Sequence, residues 1–270
     1  MSEESGSKSN WNREGIANIF VVALSVCLVC SIVVSLAAVA LKPMQDENRE
    51  LDRKRNVLVA AGLLDEGAVT NAAGQGIAEI FDEFEVRVVE LDSGQYTDRF
   101  DDPAAYDSLR AARDPALSRA LAADEDIATL SRLETYGTVY IKRSENGAVD
   151  TLVLPVRGYG LWGTLFGYLA LKSDLQTIAG IGFYTHKETP GLGGEVDNPG
   201  WKAQWVDVDA YDAGGDVAVS LVKTRTGSSS EVDALSGATM TTRGVENLVH
   251  FWLGDLGYGP FLNNLRNGDV

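Results

Sequence analysis

The chain opens with one long apolar block and then switches to segments whose apolar residues recur at helical or strand spacing. Ile16 through Leu41 holds no charged side chain. As a helix this block is roughly 39 Å long, enough to cross a bilayer with some tilt. Residues 45 to 62 read as the same helix continuing, charged at first and then apolar at Val57, Leu58 and Ala61. A second helical stretch covers Ile77 to Phe84, and Glu85 to Leu91 alternates with the period of a strand. Asp92 to Asp114 is polar, acidic and interrupted by Pro103, which predicts a surface excursion whose charges form a solvated face.

The second half is strand-rich. Gly137 to Lys142 and Val149 to Val156 flank Ser144-Glu145-Asn146-Gly147, a hairpin signal with Asn-Gly at the turn. Leu165 to Leu171, Ile178 to Tyr184 and Val217 to Val222 are further strands. From Val245 the apolar residues Val245, Leu248, Val249, Trp252 and Leu256 return to helical spacing. The expected fold class is α+β: a single N-terminal transmembrane helix, then a domain with a largely antiparallel sheet flanked by helices. The expected divisions are 1–15, a short tail; 16–41, the span; 42–135, a helical and extended stretch; and 136–270, the strand-rich domain.

Composition narrows the partners. The chain carries 23 basic and 39 acidic residues, a net charge of -16. That excludes a nucleic-acid surface, which needs clustered Lys and Arg. Both cysteines, Cys27 and Cys30, lie in the apolar block, where they read as small packing residues rather than as metal ligands. No group elsewhere has metal-ligand spacing. A cleaved signal peptide would have a shorter apolar core, although Leu36-Ala37-Ala38-Val39-Ala40 supplies small residues, and Leu28-Val29-Cys30 is a poor lipoprotein box. Orientation is ambiguous from charge: Lys8 and Arg13 precede the span, whereas Lys42, Arg49, Arg53, Lys54 and Arg55 follow it, interleaved with acids. The positive-inside rule alone would keep the domain in the cytoplasm.

The candidate chemistry centres on Asp233-Ala234-Leu235-Ser236-Gly237-Ala238-Thr239, followed by Met240-Thr241-Thr242. A hydroxyl cluster there sits where a helix begins, and free N–H groups and the helix dipole favour a phosphate at such a point. The same residues also read as a Ser/Thr N-cap after a tight Gly turn. With only His186 and His250 in the chain, proton shuttles are scarce. A threonine hydroxyl lacking a base is a poor nucleophile, so modification there would need an external enzyme.

Three more segments stand out. Trp162, in Gly158-Tyr159-Gly160-Leu161-Trp162-Gly163, is either a core aromatic capping the sheet or an apolar platform for a flat ring. The loop His186-Lys187-Glu188-Thr189-Pro190-Gly191-Leu192-Gly193-Gly194 is too Gly-rich for a helix and would let backbone approach a ligand. Glu188 and Thr189 could hydrogen-bond a ring edge and Leu192 could pack its face, while His186 alone reads as structural. Lys223 ends a strand and is either a phosphate or ring-edge contact or a surface lysine. The glycines at 191, 193 and 194 do not form a dinucleotide fingerprint.

Asp-x-x-Ser-Gly-Ala-Thr resembles the flavinylation motif of the FMN-binding domain family. Four further features join it: Gly-x-Gly-Leu-Trp-Gly, Glu-Thr-Pro-Gly-Leu-Gly, the Tyr136-Gly137-x-Val139-Tyr140 strand and the tail Phe251-Trp252-Leu253-Gly254-x-x-Gly257-Tyr258-Gly259-Pro260. Together they resemble the NqrC family, the FMN-carrying subunits of sodium-translocating NADH:quinone oxidoreductases. The tail favours this family over its cousin in the Rnf electron-transport complex, which shares the flavin motifs. The resemblance implies covalent FMN, esterified to Thr239 by a flavin transferase that recognises Asp233, Ser236, Gly237, Ala238 and Thr239. It implies FMN contacts from Leu161, Trp162, Glu188, Thr189, Leu192, Lys223, Ser236, Gly237, Ala238 and Thr242. It implies an electron relay from an iron–sulfur centre to the next flavin on the way to ubiquinone, inside a membrane complex and with no catalytic residue of its own. It places the tail in the cytoplasm and the domain on the periplasmic side of a bacterial inner membrane. Lys187 stands where the family pattern has Gly. The alternatives are an Rnf-type carrier between ferredoxin and NAD, and a colourless membrane-anchored binding domain whose motif is only a helix cap.

Overall fold

The computed structural model describes residues 15–270. The tail expected at 1–15, with Lys8 and Arg13, lies outside the described residues except for Gly15. Helix α1 runs Ile16–Ala60 and contains the charge-free block followed by Pro43. Its apolar window has a mean hydropathy of 2.9 and none of it is buried in protein, so it is long and apolar enough to cross a membrane. The chain forms two units: one ends at Glu50, and the other is Leu51–Val270.

Within the second unit, the end of α1 and α2 (Ile77–Phe81) lead into β1 (Phe84–Glu90) and the short β2 (Gln95–Tyr96). The acidic excursion then folds into a 3-10 turn at Pro103–Ala105 and α3 (Ser108–Ala111). Its acids are not only solvated. Asp102, Asp107 and Asp114 accept the backbone N–H groups of Ala104, Arg110 and Ala116 at 3.0, 3.0 and 2.9 Å, ending turns and capping helices. A two-strand ribbon, β3 (Ser118–Ala120) with β4 (Arg132–Glu134), follows. These short strands carry no readable alternation and were not anticipated.

The main sheet has six antiparallel strands in the order β2-β1-β5-β6-β7-β8, with β5 at Tyr136–Arg143, β6 at Val149–Tyr159, β7 at Thr164–Lys172 and β8 at Ile178–Thr185. The hairpin between β5 and β6 turns at Gly147, whose φ of 83° suits glycine. Because β1 pairs with β5 along its length, residues before and after 135 share one sheet.

Period two sorts the sheet's side chains. Val139, Ile141, Leu152, Leu154, Leu169 and Leu171 face one layer, while Tyr140, Val153, Tyr168 and Ala170 face the other. The second layer is α2 and the last turns of α1. The first is α5 (Thr239–Leu253) and α6 (Gly259–Asn267), with Trp201 and Trp205 from α4 (Pro199–Lys202) and the turn after it. Covering both faces explains why the central strands read as near-continuous apolar runs. Beside them, β9 (Ser220–Val222) and β10 (Glu231–Asp233) form a parallel pair. The strand expected at Val217–Val222 is shortened because Val217 bridges Tyr211 instead.

Helix α5 is seated on β6 by small residues. A Cβ on Gly158 would lie 2.8 Å from that of Leu248, so only glycine lets the helix approach. Further along, Trp252 Nε1 donates to the Arg157 carbonyl at 2.7 Å, and the Arg157 guanidinium lies 5.1 Å from the Trp252 ring. That guanidinium donates two hydrogen bonds of 2.6 Å to Glu134, and both side chains are buried. Removing one partner of such a pair strands a buried charge. Arg157→Leu is therefore expected to lower the unfolding free energy by about 3–5 kcal/mol, read from urea denaturation of the full chain in detergent; a loss below about 1 kcal/mol would show the pair to be dispensable.

Candidate functional site

The motif from Asp233 to Thr242 runs off the end of β10 into α5. Asp233 is exposed at that end and pairs with Arg225 at 2.8 Å, while its carbonyl accepts the Trp201 indole N–H at 2.8 Å. Ala234 N donates to the Val222 carbonyl at 2.8 Å, which continues the β9–β10 pairing and sets Lys223 beside the motif. A turn closes from Leu235 to Ala238, with Gly237 at a φ of 72°. A side chain there would be strained and would press on Leu192, whose Cδ2 lies 3.1 Å from the position of a Cβ.

Helix α5 starts at Thr239, and Ala238 holds the cap position with no side-chain hydrogen bond. The Ser/Thr cap reading therefore fails on geometry: no hydroxyl closes this helix end. The amides of Thr239, Met240 and Thr241 precede the helical ladder, whose first bond runs from Thr242 N to Ala238 O at 2.9 Å. The hydroxyls divide sharply. Thr242 is buried, donates to Ala238 O at 3.0 Å and accepts from Leu235 N at 3.1 Å. Thr241 is buried and donates to Glu188 Oε2 at 2.5 Å. Thr239 and Ser236 are exposed, and neither side chain has a hydrogen bond among the described residues.

Glu188 joins three segments. Its Oε1 accepts the backbone N–H groups of Leu161 and Trp162 at 3.0 and 2.9 Å, and its Oε2 accepts the Thr241 hydroxyl. The carboxylate is buried, and Cβ atoms on Gly160 or Gly193 would intrude on it at 2.6 and 2.5 Å. His186 supports this loop: Nδ1 accepts the Glu188 N–H at 3.1 Å, which leaves the proton on Nε2, 2.8 Å from Asp197. His186 is structural, as its isolation in the sequence suggested.

The tertiary structure thus brings the Leu161–Trp162 loop, the Glu188–Gly194 loop and the start of α5 together, and presents four large apolar side chains to solvent. Leu161, Trp162, Leu192 and Met240 are 43, 62, 45 and 53 % exposed. Trp162 is no core residue. Thr189 is exposed on the loop, and its carbonyl accepts the Gly194 N–H at 2.9 Å. Lys223 is exposed and has no ion pair or hydrogen bond among the described residues. Glu188 and Thr242 are engaged by the protein itself, Glu188 by the Leu161 and Trp162 amides and the Thr241 hydroxyl, Thr242 by Ala238 and Leu235. Sequence reasoning missed the roles of Thr241, Gly160 and Gly193. Only the Thr241-Thr242 doublet hinted at one of them, because Glu188 is far from Thr241 along the chain.

Comparison with known proteins fits this geometry. Residues 160–254 match the family described as FMN-binding domain. The fold and site define an FMN-binding domain behind an N-terminal helix able to cross a membrane. The chain is 54% identical, over 96% of its length and 99% of the relative's, to the C subunit of the Na(+)-translocating NADH-quinone reductase of Pseudomonas aeruginosa. It is 40% identical, over 95% and 96%, to the same subunit from Yersinia pestis. The crystal structure of Shewanella oneidensis NqrC superposes with a TM-score of 0.72 at 32% identity, covering 82% of this chain and 99% of that one. The chain belongs to the NqrC family of Na(+)-translocating NADH-quinone reductase subunits.

The residues present suit FMN. A flat ring finds exposed apolar faces at Leu161, Trp162, Leu192 and Met240, and a phosphate finds the uncapped start of α5.

These contacts make two outcomes measurable. Glu188→Leu removes the acceptor for two backbone amides, and should cost about 1–3 kcal/mol and speed hydrogen exchange at Leu161 and Trp162. Glu188→Gln keeps a carbonyl oxygen for those amides and should leave their exchange close to wild type; fast exchange in both variants would mean that the charge, not the acceptor, is required. The second concerns Glu231, on β10. The Thr226 hydroxyl, together with the amides of Thr226 and Gly227, holds its carboxyl below the ordinary 4.5. A depressed folded value stabilises the fold above the unfolded value and is lost as pH falls through the folded one. The stability difference between wild type and Glu231→Gln, from denaturation midpoints, should be full at neutral pH and shrink below pH 4.5. A pH-independent difference would contradict it.

Proposed function

We propose that this protein is the covalent FMN-carrying electron-transfer subunit of a sodium-pumping NADH:ubiquinone reductase, relaying electrons from an iron–sulfur centre to the next flavin on the way to quinone. The family membership supports the complex and the cofactor. The observation that carries the attachment point is the division of hydroxyls at α5: Thr241 and Thr242 are buried and engaged, whereas Thr239 stands exposed on an uncapped helix start.

In this reading a flavin transferase docks on the exposed turn, where Asp233, Ser236 and Gly237 leave room around Thr239 and Ala238 closes the turn behind it. Thr239 Oγ forms the new bond to the FMN phosphorus, the hydroxyl proton passes to a base of the transferase, and the leaving group of the activated FMN donor departs. Bound there, the flavin supplies the electron-carrying chemistry. The chain's own residues fix its place. Glu188 and Thr242 brace the loops, Leu161, Trp162 and Leu192 would shield the ring from water, Thr189 would meet its edge, and Lys223 would offset negative charge on the bound group. The domain lies on the periplasmic side, where a covalent tether retains a cofactor that cannot be replenished. A charge-free span gives no ion path, so sodium crosses through partner subunits.

The test is in-gel flavin fluorescence of the denatured full chain, co-expressed with a flavin transferase. Wild type and Thr241→Val should fluoresce and Thr239→Val should be dark. A dark wild-type band, with the transferase active on a control substrate, would sink the covalent reading; a fluorescent Thr239→Val band would move the attachment elsewhere.

A further inference from the structure

Three basic side chains stand on the segments of this site without any hydrogen bond or ion pair among the described residues: Lys187, Lys223 and Arg243. Their neighbours Lys202 and Arg225 are paired, with Glu66 and Asp233. In a chain of net charge -16, cations left without an acid partner are available to an anionic group. Arg243 is the most informative, because its position relative to Thr239 is fixed by helix geometry.

Arg243 follows Thr239 by four residues in α5 and shares its exposed face. Side chains on a helix lean towards its N-terminus, so Arg243 is placed to reach the turn that carries Thr239. Within one turn the only acid is Glu246, and its Oε2 accepts the Leu221 N–H at 3.4 Å. A lone arginine in the first turns also runs against the helix dipole, which favours acids there. That arrangement makes sense if a negative group completes it.

We propose that Arg243 is a positioning residue for the FMN phosphate after attachment, its planar fork taking the two non-bridging oxygens of the phosphodiester on Thr239 and so holding the flavin against the Trp162 and Leu192 loops. This rests on the covalent reading above. The phosphodiester has one negative charge and two such oxygens, and a guanidinium matches that geometry with two parallel N–H donors where a lysine offers a point charge. The role is separate from catalysis, since Arg243 touches neither the ring nor a reacting atom.

The experiment compares full-length wild type, Arg243→Gln, Arg243→Lys and Arg113→Gln in detergent, all co-expressed with a flavin transferase. Arg113, just after α3, is a further exposed cation without a partner among the described residues, so its loss controls for net charge. The readouts are in-gel flavin fluorescence for loading, the phosphorus NMR shift of the ester, and flavin fluorescence anisotropy across a salt series. Loading should be equal in all four. The phosphorus shift should move in Arg243→Gln and less in Arg243→Lys. The ratio of docked to free flavin should fall by up to about five-fold in Arg243→Gln, the reach of an exposed ion pair. Wild type should approach that value as salt rises, and Arg113→Gln should match wild type. Equal loading with an unchanged phosphorus shift and anisotropy in Arg243→Gln overturns the proposal and leaves the covalent reading intact. Loss of loading in Arg243→Gln also overturns it, assigning Arg243 to transferase recognition. A dark wild-type band removes both readings. Should Arg243→Gln fail to fold, Arg243→Lys decides: the charge remains, the fork is gone, and an unchanged shift overturns the bidentate contact.

Discussion

The candidate site depends on one buried carboxylate. Glu188 has no ion pair among the described residues; it is held by two backbone amides and the Thr241 hydroxyl. A buried charge is costly unless such donors satisfy it. Here they come from two segments distant from Glu188 in the chain, so satisfying the carboxylate and assembling the site are the same event. Gly160 and Gly193 make room for it, since a Cβ at either would collide with the carboxylate. The loops it joins carry exposed apolar side chains that would otherwise have no fixed place.

The helix behind that hub is anchored to the sheet. Helix α5 lies against β6 through Gly158 and is pinned further along by Trp252, Arg157 and Glu134. The result separates stability from function along one helix. Its C-terminal half is buried and bonded, and its first turn exposes Thr239 and Met240 while burying Thr241 and Thr242. Asp102, Asp107 and Asn198 cap three short helical turns, whereas α2 and α6, like α5, start without a side-chain cap. Leaving the longest helix of the domain uncapped forgoes about 1 kcal/mol, a cost that a phosphate at that end would offset.

Electrostatics follow the same division. Acids crowd the excursion from Asp92 to Asp114 and serve as turn caps, while the segments that meet at Thr239 keep Lys187, Lys223 and Arg243 unpaired. An acidic protein that binds an anionic cofactor must arrange its few cations locally, because the overall field is unfavourable. The expected face of solvated charge is real in composition but has a structural use that composition does not show.

The sequence by itself determined much of this protein. The charge-free run to Leu41 dictated a helix able to cross a membrane, and the apolar runs Val149–Val156 and Leu165–Leu171, the first behind an Asn-Gly turn, dictated central strands, because such patterns are local properties of the chain. The Ser236-Gly237-Ala238-Thr239 run and the two Gly-rich loops marked the site and its family. The tertiary structure alone decided what each residue does there. Whether Trp162 lay in the core or at the surface, whether a hydroxyl capped α5, and whether Glu188 faced a ligand or the backbone all turned on contacts between segments far apart in the chain. Short strands such as β3, β4 and β10 were invisible for the same reason: three residues carry no period, and only their partners make them strands.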